Sequence, residues 1–168
     1  MTETLHDDIP DDLGEAVARA LARACDLDLK LATAESCTGG LLASLLTDVE
    51  GASCAFDRGF VTYAEAAKAE VLGVPRDLLD RHGAVSEEVA RAMAQGALVR
   101  SEADVALSVT GFAGPGAEGD EEGLVHLACA RRGGAVVHRE RHYGAVGRGA
   151  VRIAALRDAV GMIEEALG

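Results

Sequence analysis

Apolar residues recur along this chain in two rhythms, one helical and one extended. Over residues 12–25, Leu13, Val17, Leu21 and Ala24 fall on one side of a helix, and Asp11 or Asp12 can cap its start. Leu29–Ala34 reads as a short strand that ends at Glu35-Ser36-Cys37-Thr38-Gly39-Gly40, and Leu41, Leu42, Leu45 and Leu46 then predict a helix to about Thr47. A second strand covers 55–63, with Phe56, Phe60, Val61 and Tyr63. A short helix at 64–72 is stopped by Gly73 and Pro75, and another helical turn at 76–81 ends at Gly83. Ser86 can cap the helix 87–100, whose opening Glu87 and Glu88 suit the positive end of the helix dipole. Asp104–Thr110 is a strand of buried type leading into Gly111-Phe112-Ala113-Gly114-Pro115-Gly116. Leu124–Ala130 and Ala135–His142 are strands joined by Arg131-Arg132-Gly133-Gly134, a hairpin signal. The last helix starts near Arg148, with Val151, Leu156, Val160, Ile163 and Leu167 as its apolar stripe.

Helices alternate with apolar strands for two-thirds of the length, and a hairpin then breaks the alternation. The expected fold is a three-layer α/β/α sandwich with a mixed, mostly parallel sheet. One domain is expected over residues 12–168, preceded by an acidic tail at 1–11 that frays. Neither an internal repeat nor a Pro/Ser-rich linker divides the chain.

Composition narrows the function. Of 168 residues, 49% are hydrophobic but only 3% aromatic, so the core must be built from Ala, Val and Leu. A formal charge of −12 argues against a nucleic-acid partner, because phosphate backbones repel an acidic surface. The acidic start lacks a signal-peptide pattern and no run approaches the ~18 apolar residues of a membrane span, so the cytoplasm is expected and a membrane partner is not. Cys25, Cys37, Cys54 and Cys129 show no zinc-like spacing and are read as reduced core residues, with Cys37 set apart by its place in a motif. The five histidines suggest no metal set, and neither metal nor cofactor is expected.

In open α/β sheets, ligands bind beyond the carboxyl ends of the strands. Two segments meet that description, Glu35–Gly40 and Thr110–Gly116, and both combine hydroxyls with glycines that allow close backbone approach. The helix after Gly40 adds a positive dipole end that suits an anion. Phosphate-loop, dinucleotide and nucleophile-elbow fingerprints are all absent. Ser53, Tyr63 and Lys68 form the next group. The chain keeps Lys68 although it has 14 arginines and only two lysines, which hints at a need for an amine that can lose its proton. Cations gather in one stretch: residues 131–157 hold seven arginines and one acid, Glu140, a local +6 against −18 elsewhere. Arg139 and Arg141 read as a solvated strand face. Arg148 and Arg152 share a helical face near a helix start and could grip a phosphate.

These segments resemble one family closely. Ala34-Glu35-Ser36-Cys37-Thr38-Gly39-Gly40, Gly59-Phe60-Val61-Thr62-Tyr63 with Lys68, Leu72-Gly73-Val74, Gly83-Ala84-Val85-Ser86 and Val109-Thr110-Gly111-Phe112-Ala113-Gly114-Pro115 look like the C-terminal domain of CinA proteins, over about residues 12–167. That domain also exists as a stand-alone nicotinamide mononucleotide deamidase. The resemblance implies hydrolysis of nicotinamide mononucleotide to nicotinic acid mononucleotide and ammonia in pyridine nucleotide recycling, without metal, by a homo-oligomer. It makes Ser36, Ser53, Tyr63, Lys68 and Thr110 the reaction-centre group. Glu35, Thr38, Gly39, Gly40, Gly111, Ala113, Gly114 and Pro115 become substrate-loop residues, joined by Arg148 and Arg152. Two departures border the site: Val146-Gly147-Arg148 replaces a family Gly-Asp-Arg run, and Glu121-Glu122-Gly123 replaces a Pro-Val-Gly run. The mechanism expected from these residues is serine–lysine amide hydrolysis, with amides of a glycine loop holding the oxyanion. Either Ser36 or Ser53 could be the nucleophile. The other readings are a non-catalytic nucleotide-binding module and a protein-interaction domain in a competence or stress pathway.

Overall fold

Strand β1 (Leu31–Glu35) is buried at all five positions and β3 (Val105–Gly111) at its first six. Strands hidden on both faces need a layer on each side, and the computed structural model, which describes residues 9–168, supplies them. Helices α1 (Asp11–Asp26), α2 (Leu41–Thr47) and α6 (Arg148–Leu167) cover one face. Leu31, Leu107 and Leu127 pack there against Leu21, Leu46 and Leu156. Helices α3 (Glu65–Leu72), α4 (Arg76–His82) and α5 (Glu87–Val99) cover the other, over Ala32, Ala34 and Ala106. The stripe expected of the last helix is buried as Val151, Leu156, Val160, Ile163 and Leu167.

The low aromatic content shapes the second face. Ala90 and Ala94 of α5 meet Ala128 and Ala130 of the sheet, so helix and sheet backbones lie close. Ser108 donates a 2.6 Å hydrogen bond to the Ala90 carbonyl across that gap. Gly96 is needed in α5 because a Cβ there would lie 2.1 Å from the Leu72 carbonyl oxygen.

The sheet order is β2-β1-β3-β4-β5, with β2 spanning Phe56–Val61, β4 Leu124–Arg131 and β5 Val136–His142. β1 pairs in parallel with β2 and β3, while β4 runs antiparallel to both β3 and β5. Four of the five strands therefore point the same way. The carboxyl ends of β1, β2 and β3 lie along one edge and deliver Ser36, Thr62 and Thr110 to it. Among the described residues, no helix is long and apolar enough to cross a membrane.

Three local expectations change. The tail expected at 1–11 lies outside the described residues over 1–8, and α1 already includes Asp11 with Pro10 at its N-cap. Asp11 and Asp12 are first-turn acids rather than caps, and Asp12 pairs with Arg157 of α6. Arg139 and Arg141 are not a solvated row: both reach Asp158 of α6, and Arg139 also reaches Glu165.

A fourth correction concerns cysteine. Cys37 and Cys129 are free and buried, but Cys25 and Cys54 form a disulfide, with Cα atoms 5.5 Å apart. The chain reverses between α1 and β1, so the last turn of α1 sits over the amino-terminal edge of the sheet. The 3-10 turn Ala52–Cys54, which feeds β2, lies at that same edge. The bond closes a loop of 29 residues, for which chain entropy gives a stabilisation of about 3–4 kcal/mol. Cys25→Ser should therefore lower Tm under oxidising conditions by roughly 6–16 °C, and reductant should bring the wild type to the same value. An unchanged Tm would show that the two thiols are not joined in solution.

Candidate active site

The backbone builds this site before any side chain joins it. Beyond β1 and β2, Thr62 N–H still donates to the Glu35 carbonyl at 2.8 Å, but the carbonyls of Thr62 and Tyr63 turn toward α3. Lys68, from the first half of α3, is fully buried and donates to both, at 2.7 and 3.1 Å. Its third contact is Ser36 Oγ at 2.9 Å. Burial holds the Lys68 amine below its ordinary range, with nearby Glu65 opposing the shift. Burial also pushes the Cys37 thiol up to about 11, so it is neutral near pH 7 and contributes no charge. When Lys68 is deprotonated, its two N–H bonds stay on these carbonyls and its lone pair faces the Ser36 hydroxyl. This is the arrangement that activates a serine.

The two candidate serines are not equivalent. Ser36 is buried at the carboxyl end of β1 and touches Lys68. Ser53 is exposed in the 3-10 turn before β2, at the opposite edge of the sheet, where its carbonyl faces Lys30. Sequence proximity had favoured grouping Ser53 with Lys68, but β2 carries the chain across the whole sheet between them. Tyr63 contributes its carbonyl to the lysine, while its side chain is 67% exposed. Thr110 is buried and donates to the Ala84 carbonyl at 2.7 Å, which ties the end of β3 to the segment before α5.

The Glu35 side chain is turned onto the backbone that follows it. It is fully buried, and its carboxylate accepts from the amides of Gly40, Leu42 and Ala43 at 3.1, 3.0 and 2.8 Å. The positive end of α2, expected to attract an anion, is thus already filled by a carboxylate from the preceding strand. Gly39 and Gly40 hold φ of 62° and 96°, which explains glycine at both. Gly111 is required by close packing, since a Cβ would lie 2.6 Å from the Leu124 carbonyl oxygen. Ala113 is buried and Pro115 exposed on the same loop. Thr38 and Thr62 carry buried hydroxyls without a hydrogen-bond partner. Thr62 had no role in the sequence reading; only its position between β2 and the lysine marks it.

The cationic stretch 131–157 resolves into pairs. Arg131 and Arg132 bond backbone carbonyls, Arg139 and Arg141 meet carboxylates of α6, and Arg157 meets Asp12. Among the described residues of this stretch, Arg148 has no hydrogen-bond or ion-pair partner, and Arg152 has a backbone carbonyl but no carboxylate. Arg152 Nε donates to the Cys37 carbonyl at 2.8 Å, which anchors it beside the Ser36 turn. The Arg148 guanidinium lies over Gly114, where a Cβ would come within 2.9 Å of it. Both arise from the first turns of α6, whose N-cap, Gly147, provides no side-chain cap. The two arginines therefore stand between the two loops that the sequence singled out. On the α5 side, His126 and His138 stack and share a 3.0 Å hydrogen bond.

A family model, the CinA C-terminal domain, matches residues 12–167. The chain belongs to the CinA C-terminal domain family. A CinA-like protein from Chlorobium limicola is 44% identical over 165 residues, covering 93% of this chain but 38% of its own length. A CinA-like protein from Akkermansia muciniphila is 62% identical over 109 residues, 64% of this chain and 26% of that protein. The chain thus spans about a quarter to two-fifths of these longer CinA relatives. Solved structures match it over nearly their full length. The competence/damage inducible protein CihA from Agrobacterium tumefaciens superposes with a TM-score of 0.90 at 47% identity, covering 96% of this chain and 99% of that one. A CinA superfamily protein from Escherichia coli gives 0.87 at 34% identity, covering 99% and 95%. Within this CinA domain, Gly147 precedes α6 with a φ of 93°, a conformation that an L side chain rarely adopts.

Proposed function

We propose that this CinA domain is a nicotinamide mononucleotide amidohydrolase working by serine–lysine chemistry. The observation that carries the reading is the buried 2.9 Å contact between Lys68 Nζ and Ser36 Oγ, with Arg148 and Arg152 beside it. The resemblance supplies the pyridine carboxamide; the paired groups supply the chemistry. Ser36 Oγ attacks the carboxamide carbon while its proton passes to Lys68 Nζ, and the carbonyl electron pair moves to oxygen. Collapse restores the carbonyl and breaks the C–N bond. The leaving nitrogen takes the proton from Lys68 and departs as ammonia. Water, deprotonated by the same amine, then attacks the Ser36 ester; the C–O bond to Ser36 breaks, Lys68 returns the proton to Ser36 Oγ, and the acid is freed. The expected result is ammonia release from nicotinamide mononucleotide with no metal added. Loss of activity on dialysis against a chelator, restored by zinc, would overturn the mechanism.

The substrate is an anion and the protein carries −12, so a local positive site must offset the general repulsion. In this reading Arg148 and Arg152 bind the phosphate, helped by the uncapped start of α6. Arg148→Ala should raise KM for the nucleotide roughly ten- to a hundredfold, as expected for losing a charge-assisted contact of ~1.5–3 kcal/mol, with a smaller effect on kcat. The nucleoside lacking the phosphate should be a poor substrate for the wild type and little worse for the variant. Equal damage to both substrates would make these arginines structural.

A further inference from the structure

An attacking serine needs donors for the oxygen that becomes negative, and along the turn that follows Ser36 few amides are free. The Ser36 N–H donates to the Val109 carbonyl at 2.9 Å, so it is committed to the sheet. Gly39 N–H closes a turn onto the Ser36 carbonyl at 3.0 Å, and Leu41 N–H does the same onto Thr38 at 3.1 Å. Gly40, Leu42 and Ala43 donate to the Glu35 carboxylate. Ser44 donates to the Gly40 carbonyl at 2.9 Å. Along Ser36–Ser44 this leaves only the amides of Cys37 and Thr38 without a protein acceptor. They are the two central amides of the turn that Gly39 closes, and successive amides in such a turn point to one side. They also directly follow the Ser36 side chain that Lys68 holds. Gly39 and Gly40, the glycines of this turn, have no amide to offer.

We propose that the N–H groups of Cys37 and Thr38 form the oxyanion hole for attack by Ser36, and that Glu35 is the positioning residue that keeps them available. Its carboxylate gathers three amides on the far side of the turn. This fixes the Gly40 end, while the pairing of Ser36 with β3 fixes the other. Because both ends are tied, the two free amides are held in place before substrate arrives, which is what electrostatic stabilisation of a transition state requires. The assignment also accounts for a buried carboxylate immediately before the nucleophile that touches no substrate. It rests on the amidohydrolase reading, and its test separates the two.

Pyridine-3-boronic acid is the probe. Its trigonal boron accepts the Ser36 Oγ electron pair while the serine proton passes to Lys68. The tetrahedral adduct then presents a boron-bound oxygen where the oxyanion would stand. A crystal structure of the adduct should place that oxygen ~2.7–3.1 Å from both the Cys37 and Thr38 nitrogens. An adduct on Ser36 whose oxygen meets other donors would overturn the oxyanion assignment and leave the amidohydrolase reading standing. Absence of any adduct on Ser36 would overturn that reading and the assignment with it. Glu35→Gln tests the positioning role separately. Its amide offers one acceptor where three donors converge, so kcat should fall tenfold or more while KM stays within about twofold. Glu35→Asp, which restores the charge, should recover part of that loss. An unchanged kcat in Glu35→Gln, or a loss appearing wholly in KM, would remove Glu35 from the assignment.

Discussion

Lys68→Arg should abolish ammonia release, with kcat down about a thousandfold or more and the fold retained. Arginine keeps a positive charge and can still donate to the Thr62 and Tyr63 carbonyls, which accept from Lys68 at 2.7 and 3.1 Å. What it lacks is a lone pair near neutral pH, because its guanidinium does not deprotonate in proteins. Ser36 would then keep its proton, and general-base assistance of this kind is worth ~10²–10⁴ in rate. The depressed proton affinity of Lys68 sets the sign of the pH dependence: kcat/KM should climb as the amine deprotonates, with its rising limb below the ordinary lysine value of ~10.4. Since Lys68 is fully buried, the bulkier side chain could disturb packing, so Tm is measured beside activity and Lys68→Met serves as a smaller replacement. If either variant keeps more than about a tenth of wild-type kcat, a loss under ~1.4 kcal/mol, then Lys68 is not the base.

Ser36→Ala and Ser53→Ala should differ by orders of magnitude. The first removes the only hydroxyl bonded to the Lys68 amine among the described residues, at 2.9 Å. Removing a nucleophile that acts as a unit with its base commonly costs ~10⁴–10⁶ in kcat. The second removes an exposed hydroxyl at the far edge of the sheet and should change kcat less than twofold. Mass spectrometry after rapid quenching should find an acyl group on Ser36 in the wild type and on no residue in Ser36→Ala. Comparable losses in the two variants would overturn the choice of Ser36.

Much of the architecture was legible because burial leaves a periodic trace. Val151, Leu156, Val160, Ile163 and Leu167 had to face one way on a helix, and β3 could be so largely apolar only if both its faces were covered. The hairpin around Arg131–Gly134 announced the antiparallel pair β4 and β5. Lys68 stood out by composition alone, since a chain that otherwise prefers arginine keeps it. The loops Glu35–Gly40 and Thr110–Gly116 were legible for a related reason: glycines and hydroxyls at strand ends mark places where backbone must come close to something.

What the sequence left open depended on which groups meet across the fold. Distance along the chain placed Ser53 nearer to Lys68 than Ser36, yet β2 separates Ser53 from the lysine and parallel pairing brings Ser36 beside it. Glu35 reads from sequence as a substrate-loop residue, whereas its carboxylate accepts from the amides of Gly40, Leu42 and Ala43. The cysteines read as four reduced residues because nothing local tells that the end of α1 and the turn before β2 share one edge. Seven arginines in one stretch looked like a single positive patch, and partners on α6 and α1 then neutralised several of them. Periodicity records how each residue meets the core, a property of its own segment. Hydrogen bonds and ion pairs act over a few ångströms between segments far apart in sequence, so only the folded chain decides which of them form.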